Sequence, residues 1–235
     1  METPGYTTLT RQSGLMREMQ VIAHNIANLS TVGFRREGVV FSEYISRLEG
    51  EPSLSMANGN ARHVDLGQAG LSQTGGTYDL ALQGEGFFLV STPDGDRLTR
   101  AGAFTPSAEG VLVTPDGHAL LDAGGAPVPV PLGARTVAIA ADGTMSADGA
   151  PVAEIGVWQP TDPLTLRHQV GTLFSADGVE PGTATLHQGF LEDSNVEPVS
   201  EIARMITVQR AYELGQTFLD NEDQRQRSVI QTLGR

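Results

Sequence analysis

GFLEDSNVEPVSEIARMITVQRAYELGQTFLDNEDQRQRSVIQTLGR, residues 189–235, is the stretch whose reading decides the fold. Asn195 stands where it can cap the first turn of a helix. Pro198 then lies just inside, where a backbone N–H has no intrahelical partner to lose. Beyond it Met205, Val208, Tyr212, Gly215, Leu219, Glu222, Gln226, Val229 and Leu233 recur in alternating steps of three and four. That is heptad spacing. Such a helix spans about 55 Å, too long to be covered by a small globular domain, so it needs a partner helix.

The partner lies at the other end of the chain. Leu15, Met19, Ile22, Ile26 and Leu29 repeat the four-three spacing, with Leu9, Met16 and Ala23 beside them. A helix over residues 6–30 follows, ended by Gly33, where glycine tolerates positive φ. Arg11, Arg17, Glu18 and Gln20 border the apolar stripe, as expected of a helix with one buried face. The plainer alternative is an amphipathic helix lying on a core, but two heptad helices at opposite ends of one chain invite pairing.

With 235 residues the chain is long enough for a real core. Apolar content is 39%, and no apolar run approaches the ~20 residues of a membrane span. The first residues lack the basic region, apolar block and cleavage site of a secretory signal. There is no cysteine, so disulfides and thiolate metal sites are excluded. Lysine is absent as well, and the net charge of −13 is unevenly spread. Residues 1–74 hold 7 acidic against 6 basic side chains, 75–188 hold 13 against 4, and 189–235 hold 8 against 5. Nucleic acid and anionic membranes are poor partners for such a chain. Nearly balanced ends suit close packing of many copies, and an acidic middle suits a solvated surface.

Residues 35–74 read as an extended linker with one or two short strands. From residue 75 the texture becomes β. GFFLV (86–90), LTRAGAF (98–104), GVLVT (110–114), HALLD (118–122), PVPVP (127–131), TVAIA (136–140) and AEIGVWQ (153–159) follow at short intervals, and further strands are expected near 171–174 and 183–186. Asp-Gly pairs at Asp94, Asp116, Asp142, Asp148 and Asp177 supply hairpin-type turns. The expected fold class is α+β: long N- and C-terminal helices pairing as a coiled coil, flanking a β-rich central domain of short antiparallel strands. The expected divisions are 1–34, 35–74, 75–188 and 189–235.

Signals for catalysis are weak. His24, His63, His118, His168 and His187 show no metal-ligand spacing. Gly84-Glu85-Gly86 runs into a strand rather than a helix, which makes it a tight turn and not a dinucleotide fingerprint. Asn28-Leu29-Ser30 matches a glycosylation sequon but sits at a helix end. Asp94/Asp96 and Asp220/Asp223 read as solvated carboxylates. Trp158 is either a stacking platform for a carbohydrate or, better, a buried strand residue. No catalytic, metal or cofactor-binding residue is expected, and no cofactor.

Three ordered motifs carry a resemblance. AHNIANLSTVGFRRE (23–37) resembles the N-terminal signature of bacterial flagellar rod and hook proteins. TGGTYDLALQGEGFFLV (74–90) with LTRAGAFTPSAEGVLVTPDGHALL (98–121) resembles their middle motif, and residues 189–213 resemble their C-terminal motif. The short chain, Pro198 and residues 130–147 are closer to the proximal-rod branch than to the distal-rod one. His24-Asn25 replaces the family's paired Asn, and Arg35 and Arg36 stand where Lys is usual. The resemblance implies a structural axial subunit of the basal body, a torque-transmitting proximal-rod component crossing the periplasm. It implies export through the flagellar type III apparatus without a cleaved signal. Partners would be copies of itself and other proximal and distal rod proteins, with no nucleic acid and no membrane insertion. A distal-rod or hook-like member is the alternative; a β-rich protein that binds or cuts peptidoglycan is the remote one.

Leu15, Met19, Ile22, Ile26 and Leu29 are expected to pack on Met205, Val208, Tyr212, Leu219 and Val229. Asn25, Asn28, Thr31, Gly33 and Phe34 are expected to form a turn that redirects the chain. Ser194, Asn195, Val196, Pro198, Gln209, Arg210, Ala211, Tyr212 and Glu213 are the matching positions of the C-terminal motif. Unpaired, these helices are marginal in water and are expected to order on assembly. Ile26→Asp is predicted to abolish assembly and motility; normal swimming with this substitution rules out the seam.

Overall fold

The computed structural model describes residues 3–46, 54–131 and 133–233, which fall into two compact units. One gathers Met1–Ala27, Glu37–His63 and Glu197–Arg235, and the other Asn28–Arg36 and Val64–Val196. The first unit contains α1 (Thr3–Ala27), β1 (Glu37–Ser46), β2 (Leu54–Val64) and α2 (Pro198–Leu233). Within it α1 contacts both α2 and β1, and β1 pairs with β2. The stretch read as a linker thus carries strands of 10 and 11 residues.

The α+β class stands, but the continuous coiled coil does not. The helices pair only in part. On α1 the deeply buried row is Gly14, Glu18, Val21, Ile22 and Asn25, while Leu15, Met19 and Ile26 of the expected seam are half-buried. On α2 the expected seam is followed from Met205 to Glu222, after which residues 223–232, Gln226 and Val229 among them, are exposed. Two physical reasons account for this. At 36 residues α2 outruns the 25 of α1, leaving about 16 Å of helix beyond its partner's length. The buried positions also include Gln12, Glu18, Asn25 and Glu201, where a coiled coil requires apolar knobs.

The helix start also differs from expectation. Asn195 does not cap α2. Glu197 does so, its Oε2 accepting from Ser200 N at 3.2 Å and from the Ser200 hydroxyl, with Pro198 opening the helix as expected.

The second unit is built on strands β3 (Leu71–Gln73), β4 (Leu80–Gln83), β5 (Phe88–Thr92), β6 (Gly95–Thr99), β7 (Thr105–Pro106), β8 (Leu112–Val113), β9 (Ala119–Leu120), β10 (Val137–Ile139), β11 (Thr144–Ala147), β12 (Ala150–Glu154), β13 (Trp158–Pro160), β14 (Arg167–His168), β15 (Leu173–Ser175), β16 (Val179–Pro181), β17 (Thr185–Gln188) and β18 (Phe190–Glu192). Among the described residues the largest sheet runs β14-β15-β6-β5-β9-β8-β7, and each of its pairings is antiparallel. Smaller sheets are β10-β11-β12, β13-β16, β17-β4 and β18-β3.

Alternation along the strands sorts the apolar residues into two clusters. Phe88 and Val90 join Leu80, Leu112, Leu120 and Met145 on one side. Phe87 and Leu89 join Leu98, Leu121 and Phe174 on the other. GFFLV is continuously apolar because both of its faces are covered. Trp158 is half-buried against the second cluster.

Asp-Gly turns join hairpins at Asp94, Asp116, Asp142 and Asp148; Asp177-Gly178 does not, because β15 pairs with β14 and β6 whereas β16 pairs with β13. At Asp148-Gly149, between β11 and β12, φ is 49° and 84°, the pair of positive values that a type I′ turn requires. PVPVP yields only isolated bridges, Val111 with Pro129 and Leu121 with Pro127, since proline brings no N–H to a ladder. Phe88, fully buried and edge-on to Phe104 at 5.3 Å, anchors the larger cluster. Phe88→Ala is predicted to lower stability by about 3–5 kcal/mol, measured as a shifted denaturant midpoint of Trp158 fluorescence; Ser91→Ala, on the exposed face of the same strand, leaves the midpoint within about 0.5 kcal/mol.

Candidate functional site

Asn25 is the tightest polar junction of the helical unit. Fully buried in the last turns of α1, it treats Glu37 as a strand partner: its Nδ2 donates to Glu37 O at 2.8 Å and its Oδ1 accepts from Glu37 N at 3.0 Å. The same Nδ2 lies 3.2 Å from Oε2 of Glu201 in the first turn of α2. One amide thereby joins α1, β1 and α2. The Glu37 carboxylate is buried too, 3.3 Å from His24 Nδ1 and 3.5 Å from Arg62 Nη1.

Further along the pair, Arg204 donates through Nε (2.9 Å) and Nη2 (2.7 Å) to Glu18 Oε1. Gln12 Nε2 donates to Gln216 Oε1 at 3.0 Å. As the α1 partner falls from 25 to 12, the α2 partner rises from 201 to 216, so the helices run antiparallel. Gly215 lets them approach, for a Cβ there would stand 3.2 Å from Gln12 Nε2. Of the expected seam, Ile22 and Val208 are buried, while Leu15, Met19, Ile26, Met205, Tyr212 and Leu219 are half-buried; Val229 is exposed. Of the C-terminal motif, Ala211 and Tyr212 are half-buried and Gln209, Arg210 and Glu213 exposed.

The other motif residues lie in the β-rich unit. Leu29 is half-buried in the turn that follows α1. There Thr31 N donates to Asn28 O (3.2 Å) and its hydroxyl to Asn28 Oδ1 (3.0 Å). Gly33, at φ 69°, donates to Glu192 O at 2.7 Å. A Cβ at Gly33 would sit 2.3 Å from Ala101 N, so a side chain is excluded twice over, by conformation and by space. Phe34 is buried, edge-on to His168 at 5.6 Å. Asn195 brackets two segments: its Oδ1 accepts from Arg36 N (2.6 Å), and its Nδ2 donates to Asp65 O (3.0 Å) and Gly67 O (2.9 Å). Ser194 Oγ accepts from Val196 N at 3.3 Å, and Val196 is buried.

Beneath this turn lies a charge cluster that the sequence reading missed. Glu192, with no exposed surface, takes Arg35 Nη2 at 2.9 Å on Oε1 and Arg100 Nη1 at 3.0 Å on Oε2. Oε1 also accepts from Ala69 N at 3.0 Å. Arg35 donates to Gly67 O and Arg100 to Gly84 O, each at 2.5 Å. Burial pushes the Arg100 guanidinium down to about 10; Glu192 opposes the shift and Arg35 adds to it. Burial likewise lowers Arg35, against the pull of Glu192 and Asp65. Arg100 stays cationic at neutral pH. The available signal was Arg100 itself, a charge inside the otherwise uncharged strand run LTRAGAF. Nothing in the sequence tied it to Glu192.

Among the described residues no group of three or more His, Cys, Asp or Glu side chains could hold a metal ion, and no helix is long and apolar enough to cross a membrane. The site is a set of structural joints: an antiparallel helix pair, and a turn locked on a buried ion cluster.

Comparison with known proteins identifies its kind. Residues 81–147 match the family described as flagellar hook protein FlgE/F/G D1 domain. Residues 187–232 match the flagellar basal body rod FlgEFG protein C-terminal family. The chain belongs to the flagellar basal-body rod protein family and is a structural subunit of that rod. It is 37% identical to the flagellar basal-body rod protein FlgF of Caulobacter vibrioides and 35% to that of Mesorhizobium japonicum, in both cases over 100% of this chain and 99% of the relative. To the FlgG protein of Caulobacter vibrioides it is 32% identical, over 92% of this chain and 94% of the relative. The resemblance is thus greater to these FlgF proteins than to FlgG, in line with the branch expected from the motifs.

Glu192→Ala leaves two buried cations without their shared anion. It is predicted to cost about 3–5 kcal/mol, read as a lowered denaturant midpoint of Trp158 fluorescence. Glu192→Gln, which keeps an acceptor for one arginine, falls between it and the parent chain.

Proposed function

We propose that this chain is a subunit of the proximal rod, carried out through the flagellar type III export apparatus and built into a shaft that transmits torque across the periplasm. Its partners are copies of itself and other proximal and distal rod proteins, and it performs no catalysis. One observation carries the reading: apolar side chains stand exposed along both helices of the pair. Leu9, Met16, Val199, Ile202, Ile206, Leu214 and Phe218 are between 44% and 73% exposed. Val199, Ile202 and Ile206 repeat at helical spacing on α2, apart from the row that meets α1, and a second apolar row on one helix is what a further helical neighbour covers.

On this reading α1 and α2 are the assembly surface, and the cross-helix polar contacts hold that surface in one register. The buried Asn25 joint ties α1, β1 and α2 together within the helical unit, which is a reason for a rod subunit to carry this motif residue. A place in the distal rod is the competing reading, supported by the similarity to FlgG over 92% of the chain.

The test is genetic and biochemical. Cells lacking the chain are expected not to swim, and the chain is expected in purified basal bodies of complemented cells. Glu18→Arg or Arg204→Glu alone sets like charges across the pair and costs about 1–3 kcal/mol, so swimming is strongly reduced. The double exchange restores it. Recovery of the chain beside distal-rod components alone, in partial basal bodies that contain no proximal rod, sinks the proximal placement.

A further inference from the structure

A small cavity in the β-rich unit combines an apolar wall with two carboxylates. Leu66, Phe87, Pro160 and Pro163 supply the wall, Glu85 and Glu180 belong to the same lining, and the volume is about 240 Å³. Both carboxylate side chains are exposed. Gln159 Nε2 donates to Glu180 Oε1 at 2.7 Å, a neutral partner that leaves the charge in place. Among the described residues neither Glu85 nor Glu180 stands in an ion pair.

Arg100 also lines the cavity but offers an occupant little. It is 3% exposed and spends Nη1 on Leu82 O and Glu192 and Nη2 on Gly84 O. Its Nε is buried as well. Glu85 is the smallest of the named influences on this guanidinium, so the two do not neutralise each other. The charges open to an occupant are therefore acidic. Apolar surface continues past the cavity: Leu66 is 37% exposed, and Leu164, next to Pro163, is 87% exposed.

Size decides what kind of group fits. Sites that enclose a whole drug-sized ligand or cofactor hold about 300–1,000 Å³, and this cavity is smaller. It suits one anchoring side chain whose neighbours lie on the apolar surface around it. Arginine and lysine meet both demands, with a stem that covers apolar walls and a cationic head for the carboxylates.

We infer that this cavity docks a segment of a different protein, in which an arginine or lysine is flanked by apolar residues. A second copy of this chain is the poorer occupant. Residues 75–188 hold 13 acidic against 4 basic side chains, so two such units repel, while a basic partner is drawn in. The cavity lies wholly within the β-rich unit, and its occupancy does not depend on the rod reading.

The test presents the purified full-length chain to a positional-scanning array of hexapeptides that contain no tryptophan. Enrichment of arginine or lysine beside an apolar residue is expected. Binding of the best peptide in solution is then followed by the fluorescence of Trp158, which is bridged to Phe87 in the wall. Glu85→Gln combined with Glu180→Gln is expected to weaken it about tenfold, and Leu66→Glu to weaken it as well. Glu109→Gln, an exposed carboxylate outside the lining, leaves it unchanged. Each variant is checked for the parent's denaturant midpoint. Selection of acidic or uncharged peptides, absence of binding, or equal affinity in the Glu85/Glu180 variant overturns the inference. Equal binding of N-acetyl-arginine amide alone means a site for a small cation and overturns it too. So does self-association of the chain that the peptide displaces, which would make the occupant a second copy.

Discussion

One carboxylate is shared by two buried guanidiniums, and the β-rich unit depends on that arrangement. Glu192 has no exposed surface, so its charge is tolerable only because it pairs with two guanidiniums, Arg35 at 2.9 Å and Arg100, which also hydrogen-bonds it, at 3.0 Å. The arginines carry one more positive charge than Glu192 supplies; carbonyls of Gly67, Leu82 and Gly84 take further donors, while Nε of both arginines is buried without a hydrogen-bond partner. The cluster therefore stitches the turn after α1, the loop before β3, the strand end at Gly84 and the strand before α2 into one joint. Aromatic contacts extend it: Phe34 meets His168, His168 meets Phe174 at 5.0 Å, Phe174 meets Phe87 at 5.9 Å, and Arg100 stands 5.4 Å from the Phe87 ring. That path returns through Glu192 to Arg35, next to Phe34, and closes a ring.

The helical unit solves a different problem. A pair of helices held only by apolar knobs can slide by a heptad at little loss, because each register offers similar contacts. Polar contacts at unequal intervals, Asn25 with Glu201, Glu18 with Arg204 and Gln12 with Gln216, permit one register, since any slip leaves buried donors and acceptors unmet. Specificity is gained at the expense of apolar burial between the two helices. The apolar residues that the pairing leaves outside remain available to neighbours.

Much of the architecture was legible because it is written in period and punctuation. Steps of three and four announced both helices, and Asp-Gly pairs with short apolar runs announced the hairpins. Gly33 was correctly tied to a turn by the absence of its side chain. What the sequence could not convey was depth. Heptad spacing on α1 selects Leu15, Met19 and Ile26, yet burial falls one position earlier, on Gly14, Glu18 and Asn25, because polar partners on α2 and β1 reward it there. Asn195 has the residue type of a helix cap but is spent on Arg36, Asp65 and Gly67, and Glu197 caps instead. Glu192 and Arg100 are separated by 92 residues, and no local pattern records so distant a pairing.

The discontinuity of the helical unit has a bearing on the order in which the chain folds. Its cross-helix contacts join residues 176 to 204 apart in sequence, and closing such loops from a disordered chain is slow and entropically unfavourable. The β-rich unit, most of which is the single segment Val64–Val196, can form first. Once the Asn195 amide holds Arg36 N, the chain between Asn25 and Glu201 is short-circuited to roughly 17 residues, which lowers the closure cost by about 2 kcal/mol. The contact at Asn195 thus brings the chain on either side of the β-rich unit close together, which shortens the loop that the helix pair must close.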